Sequence, residues 1–190
     1  YRIHGEPNEE KINNFLNLAE GEFILTVASI TDKDKDLSVI LTTKFGYIKR
    51  IAIEEIIKSR TSSVGTRVIS LREDDELIEV KFTDNKKDII LVTKFGQCIC
   101  FHENDVRSTG RVSMGVRGIN LIEDDEVIGM QLTCQGDYLL IVSEKGLGKR
   151  TSIGEFTRQN RGGKGVKCYK ITEKTGNVIG VKAVNSGNEI

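Results

Sequence analysis

The chain has no tryptophan, a single proline (Pro7) and two histidines (His4 and His102). It also lacks net charge, with 28 Lys+Arg facing 28 Asp+Glu over 190 residues. Its four cysteines (Cys98, Cys100, Cys134, Cys168) contain no CxxC pair. With so few histidines beside them, the paired-ligand spacing of a structural zinc site is missing. The cysteines read instead as small apolar side chains, and Cys98 and Cys100, two apart, would share one strand face. Reduced thiols fit a cytosolic setting. Ser and His make no constellation of the kind nucleophilic catalysis needs. The apolar runs, such as that in "DIILV", are strand-sized and far short of the roughly 18–20 residues that cross a bilayer. No signal-peptide pattern opens the chain, and it starts at Tyr1 without an initiator Met, so it reads as a piece of something larger. At 38% apolar and 29% charged residues it is a globular chain with enough length for one core or two small ones.

What the sequence has in quantity is repetition. "LTTKFGYIKR" (41–50), "LVTKFGQCIC" (91–100) and "IVSEKGLGKR" (141–150) align without gaps, which places Gly46, Gly96 and Gly146 at intervals of 50 residues. The register continues through Gly65, Gly115 and Gly165, and through Leu71, Leu121 and Ile171. "REDDELI" (72–78) matches "IEDDEVI" (122–128), and "TEKTGNVI" (172–179) is the third copy, one residue longer. "NFLNLAEGEFI" (14–24) resembles the end of an earlier copy, and "AVNSGNEI" the start of a further one. Each unit reads as an apolar run, a K-F-G turn whose glycine supplies positive φ, a second run, then another hairpin closed by an acidic turn. Roughly four strands per 50 residues predict an all-β, propeller-like arc of about four four-stranded blades. The expected division is 1–22 for the end of a preceding blade, 23–79, 80–129 and 130–180 for full blades, and 181–190 for a following blade or closing strand. "IEEIIKS" (53–59) is the one helix-like piece and is expected to be a loop with a single helical turn.

Neutrality hides a segregation of charge. From Glu144 to Lys170 eight Lys/Arg face two acids, a net of +6. The acids gather in the "EDDE" turns at 73–76 and 123–126, read as solvated hairpin turns rather than a metal site. "RQNRGGKGVK" (158–167) holds four cations, three glycines and no acid. Lys49 and Arg50 share a repeat position with Lys149 and Arg150, and Arg111 aligns with Arg161. Register predicts a basic rim, the electrostatic footprint of a polyanion track. The alternatives are a solvated basic face, and a protein-interaction module that uses the acidic turns and open sheet edges. The glycines have two compatible readings: backbone amides free to hold a phosphate, or a bulged turn that requires positive φ. The spacing is not that of a Walker A loop. No aromatic interleaves the basic loop, which argues against base stacking on single strands.

The units "ILTTKFGYIKRIAIEEI" and "LLIVSEKGLGKRTSIGEFTRQNRGGKGVK", with the returning "EDDEVIG", resemble the C-terminal domain of bacterial DNA gyrase A across essentially the whole chain. The paralogous topoisomerase IV domain is the nearest competitor. The gyrase signature Q-R-R-G-G-K-G appears here as Q-N-R-G-G-K-G, with Asn160 at an arginine position and in the third full unit rather than the first. "SRTSSVG" (59–65) and "TGRVSMG" (109–115) are its more degenerate counterparts. The resemblance implies a β-pinwheel whose blades exchange strands, and duplex DNA wrapped on its rim largely without regard to sequence. It implies a role in ATP-driven negative supercoiling with no catalytic residue in this part. ATP, Mg and the cleaving tyrosine would belong to other parts of the enzyme, so no cofactor or metal is expected here. The remaining gyrase A and the gyrase B protein would be partners, in the bacterial cytoplasm at the nucleoid, away from membranes. The candidate DNA contacts are Lys49, Arg50, Arg60, Arg67, Arg107, Arg111, Arg117, Lys149, Arg150, Arg158, Gln159, Asn160, Arg161, Gly162, Gly163, Lys164, Gly165 and Lys167.

Overall fold

The computed structural model describes residues 18–58 and 65–187. Arg60 of the candidate set lies outside them. Among the described residues three antiparallel sheets follow one another along the chain. The first has the order β3-β1-β2-β6, from β1 (Ser38–Thr43), β2 (Tyr47–Ala52), β3 (Leu77–Thr83) and β6 (Val116–Arg117). The second has the order β10-β5-β4-β7, from β4 (Asp88–Thr93), β5 (Gln97–His102), β7 (Val127–Leu132) and β10 (Val166–Lys167). The third has the order β11-β8-β9, from β8 (Tyr138–Ser143), β9 (Gly148–Ser152) and β11 (Val178–Val184).

The strand exchange expected of a pinwheel is visible in these orders. β6 comes from the second repeat and pairs with β2 of the first sheet, Val116 opposite Ile48. β10 comes from the third repeat and pairs with β5 of the second, Val166 opposite Cys98. Each borrowed strand begins just after a glycine in the left-handed region, Gly115 at φ 76° and Gly165 at φ 73°. A Cβ on Gly165 would stand 2.3 Å from the Cys98 carbonyl oxygen, so close approach as well as positive φ demands glycine there.

Period-2 alternation distributes the core. Ile89 and Leu91 face the cluster shared with Ile40, Ile48 and Ile119, between the first two sheets. Ile90 and Val92, one residue out of phase on the same strand, face the cluster with Leu139 and Ile141, between the second and third. β4 is therefore apolar on both faces, which explains the unbroken "DIILV". A fully buried Ile or Leu of this kind contributes about 1.5–3 kcal/mol. A third cluster covers the other face of the first sheet, where Ile53, Ile56 and Ile57 pack on Val39, Leu41 and Ile51.

That third cluster explains a departure from expectation. The helix-like piece expected to hold a single helical turn is a longer, six-residue helix, α1 (Ile53–Lys58), because its three isoleucines have a sheet face to cover. The equivalent positions of the other repeats, Glu103–Asp105 and Ile153–Glu155, are single 3-10 turns.

The acidic turns also differ from the solvated reading. Asp75 and Asp125 are each only 8% exposed. The Oδ1 of Asp75 accepts from the amides of Phe45 and Glu76, and the Oδ1 of Asp125 from those of Phe95 and Glu126. The third acid of "EDDE" clasps the K-F-G turn of its own sheet, while the residue before it, Asp74 or Asp124, takes the positive φ of the bend. Val127 N then donates to Lys44 O, and Val178 N to Lys94 O, so each K-F-G turn also holds the following unit.

Candidate nucleic-acid interface

The loop 158–167 leaves the third repeat and runs along the outer edge of the second sheet. Gln159 N donates to Cys100 O at 2.7 Å and β10 pairs with β5, so both ends of the loop are fastened to that edge. The equivalent loop of the second repeat crosses the first sheet in the same way. Thr109 N donates to Arg50 O, and Gly118 N to Gly46 O.

Successive loops also touch one another. Ser70 N donates to Ser113 O, joining the stretch 65–71 to the second loop. Gly162 N donates to Gly118 O, and Asn120 N to Gly163 O, joining the second to the third. Three equivalent segments thus make one continuous backbone ribbon along the rim, with side chains projecting from it.

The cations on this ribbon have different surroundings. Lys49 is buried, at 1% exposure, and its Nζ donates to the carbonyls of Val68, Arg111 and Ser113 at 2.6, 2.8 and 3.2 Å. All three of its donors are used, and burial lowers its pKa. Its assignment as a rim contact is corrected: it ties two loops together from beneath. The paired position Lys149 is exposed, its Nζ 3.1 Å from Cys168 O.

Arg50 is half-buried and bonds Val106 O, Asn85 Oδ1 and Asn104 Oδ1. Arg161 is also half-buried, its Nε on Asp105 O and its Nη1 on Arg117 O. Both guanidiniums brace backbone from the surface and keep only part of their fork for a ligand. Arg158 is exposed, with its Nε 2.9 Å from Asp88, whose carboxylate raises the arginine's pKa and offsets its charge. Arg150 is exposed and lies over the Tyr138 ring at 4.5 Å.

Arg67, Arg107, Arg111, Arg117, Lys164 and Lys167 project into solvent, as does Asn160. Among the described residues, Lys164 and Lys167 form no side-chain hydrogen bond or ion pair with one another or with the rest. Gln159 and Gly162, Gly163 and Gly165 are half-buried. The amides of Gly162 and Gly163 are bonded to Gly118 O and Asn160 O, so they are not a free phosphate cradle. Between the two readings of these glycines, the turn that requires positive φ is the one the geometry carries, at Gly162 and Gly165.

Sequence reasoning missed Tyr47, Arg72 and Asn120. The Arg72 guanidinium lies 3.4 Å from the Tyr47 ring centroid, and Arg117 lies 5.4 Å from the same ring. Arg72 Nη1 also bonds Met114 O, and Arg117 Nη1 bonds Asn120 Oδ1. An aromatic does therefore interleave the basic rim, although one held by arginines. Tyr47 stands directly opposite Arg117 in the β2–β6 ladder, a neighbour visible only after strand exchange is known. Arg72 was hidden by its place at the head of an acidic motif.

No group of three His, Cys, Asp or Glu among the described residues is arranged to hold a metal ion. No described helix is long and apolar enough to cross a membrane.

The family model described as "DNA gyrase C-terminal domain, beta-propeller" matches residues 38–84, 87–134 and 137–185. The chain is 38% identical over 180 residues to the DNA gyrase A protein of Staphylococcus aureus strain MRSA252, covering 93% of this chain and 20% of that protein. It spans about a fifth of the length of the curated relatives it matches. Among solved structures, a DNA gyrase A C-terminal domain superposes with TM-score 0.80 at 32% identity, covering 93% of this chain and 58% of the other. The C-terminal domain of a DNA topoisomerase IV superposes with TM-score 0.83 at 25% identity, covering 91% and 54%.

Proposed function

Because the chain belongs to the family of DNA gyrase C-terminal domains, we propose that it binds and wraps duplex DNA along the loop ribbon of its rim, as a non-catalytic module of a type IIA topoisomerase. The observation that carries the reading is the ribbon itself. Three loops from three repeats are hydrogen-bonded edge to edge and turn exposed Arg67, Arg107, Arg111, Arg117, Lys164 and Lys167 to solvent. A row of cations set by backbone register suits an extended polyanion better than a compact ligand. Such contacts position a duplex without reading its bases, so binding is largely independent of sequence.

In the complete enzyme the wrapped segment would be presented for ATP-dependent strand passage and negative supercoiling. The rest of gyrase A and gyrase B would supply the chemistry and its cofactors, in the bacterial cytoplasm at the nucleoid. The near-complete Q-N-R-G-G-K-G loop and the higher identity to gyrase A favour gyrase over topoisomerase IV. The repeat boundaries 23–79, 80–129 and 130–180 remain our division by sequence period.

The test is a titration of the chain with a duplex of mixed sequence across a salt series. Log affinity should fall linearly with log salt, with a slope of about −0.9 per phosphate contacted. Lys164→Ala with Lys167→Ala should make that slope less negative by roughly 1–2 and leave the circular dichroism spectrum unchanged. Salt-insensitive binding, or binding confined to one sequence, refutes the proposal. A wild-type slope in the double variant removes the loop from the interface.

A further inference from the structure

We propose that Cys168 and Cys98 form an oxidation site for a hydroperoxide, ending in a disulfide across the seam between β5 and β10. The inference does not depend on the DNA reading. It starts from an open cavity of about 160 Å³ between the second and third sheets, walled by Cys98, Cys100, Cys168, Lys149, Phe156 and Gln159. Three of the four cysteines of the chain converge on it. The packing core did not require this, since isoleucine and valine occupy the neighbouring positions of the same cluster.

The two sulfurs are neighbours. Val166 stands opposite Cys98 in the ladder, and Cys168, two residues on, projects from the same face. The Cys98 and Cys168 side chains pack in the same buried cluster and line the same cavity. Cys168 lies just past the end of β10, where its own amide and that of Tyr169 both donate to Gly96 O.

The environments of the three thiols differ. The Cys98 side chain and the nearby Lys149 ammonium, whose Nζ bonds Cys168 O at 3.1 Å, hold the Cys168 pKa below that of an ordinary thiol. The same sulfur lies 3.4 Å from Gly96 O, which accepts its proton in the resting thiol. The Cys168 side chain and burial push Cys98 up, and burial pushes Cys100 up to about 11. The Lys149 ammonium beside Cys168 marks that sulfur as the attacking one, with Cys98 as the resolving one.

The chemistry balances. The Cys168 thiolate attacks one peroxide oxygen, an S–O bond forms as O–O breaks, and the leaving oxygen takes a proton to depart as water or an alcohol. The sulfur has lost two electrons and is a sulfenic acid. Cys98 sulfur then attacks Cys168 sulfur, S–S forms as S–O breaks, and hydroxide departs as water with the Cys98 proton. Two thiols and one hydroperoxide become one disulfide, one water and one further water or alcohol.

The experiment is limited treatment of the folded chain with hydrogen peroxide, alkylation of free thiols, and peptide mapping without reductant. The expected product joins the Cys98 and Cys168 peptides, while the exposed Cys134 is oxidised more slowly. Cys98→Ala should let dimedone trap a sulfenic acid at Cys168, and Lys149→Met should slow that trapping severalfold. Cys168→Ala should abolish peroxide-dependent change at Cys98. Faster oxidation at Cys134, a Cys98–Cys100 product, or trapping at Cys98 in Cys168→Ala overturns the proposal. Because the readout is a covalent mass on the wild-type fold, it stands even if a variant folds poorly.

Discussion

Lys49 and Lys164 show how little residue type says about role. Both are lysines of basic motifs, yet one is buried beneath the rim with three carbonyl partners and the other projects from it. Lys49→Ala should destabilise the fold by about 2–4 kcal/mol in urea denaturation, since it leaves a void and orphans buried carbonyls. A stability within error of wild type would mean that the loops hold without it. The same side chain gives a pH signature. Its folded pKa is lowered, so above that pKa the unfolded chain binds more protons than the native one. Stability should therefore rise with pH from the folded pKa up to the ordinary 10.5, and Lys49→Met should remove that rise. Arg161 belongs with Lys49 rather than Lys164. Because its Nε and Nη1 hold the carbonyls of Asp105 and Arg117, Arg161→Ala should speed amide exchange at Gly162 and Asn120. Unchanged protection there would make Arg161 free to face a ligand.

At the scale of the element, the glycines of the rim loop divide into two kinds. Gly165 has positive φ and a carbonyl 2.3 Å from where a Cβ would sit, whereas Gly163 would place its Cβ 3.2 Å from Asn160 O at an ordinary φ. Gly165→Ala should cost about 2–4 kcal/mol and loosen β10, while Gly163→Ala should cost under about 1 kcal/mol. Thermal denaturation of the two variants separates them, and equal losses would contradict the strand-exchange geometry. The positions of Gly46, Gly96 and Gly146 were legible in the sequence because a turn that needs positive φ leaves glycine at a fixed interval. Two-sided burial of β4 was legible in "DIILV". The helical character of α1 was legible in its isoleucines, but its length was not, because they extend a helix only where an uncovered sheet face awaits them. Nor was the clasp made by Asp75 and Asp125, since an acid among acids carries no mark of which one turns inward. Tyr47 and Arg117 became neighbours only through pairing between residues 70 apart.

For the whole molecule, the rim is a property of order among repeats rather than of any one. Net neutrality overall coexists with cations placed on the rim loops and acids gathered in the EDDE turns, so DNA affinity should collapse with salt faster than the total charge suggests. Reversing the charge of one solvent-facing acid in such a turn, Glu123→Lys, should leave the salt slope unaltered. A steeper slope would place DNA on the acidic turns instead. Bending a 20–30 bp duplex costs on the order of 1–6 kcal/mol, so affinity should rise with duplex length until the ribbon is spanned.

The borrowed strands also impose a schedule on synthesis. The first sheet is closed by Val116–Arg117, which the ribosome makes long after Thr83, and the second by Val166–Lys167, made long after Leu132. Each sheet must wait, three-stranded and with an open edge, until most of the next repeat has emerged. Domains of this kind cannot fold one repeat at a time, and a stalled nascent chain would present that waiting edge to whatever strand arrives first.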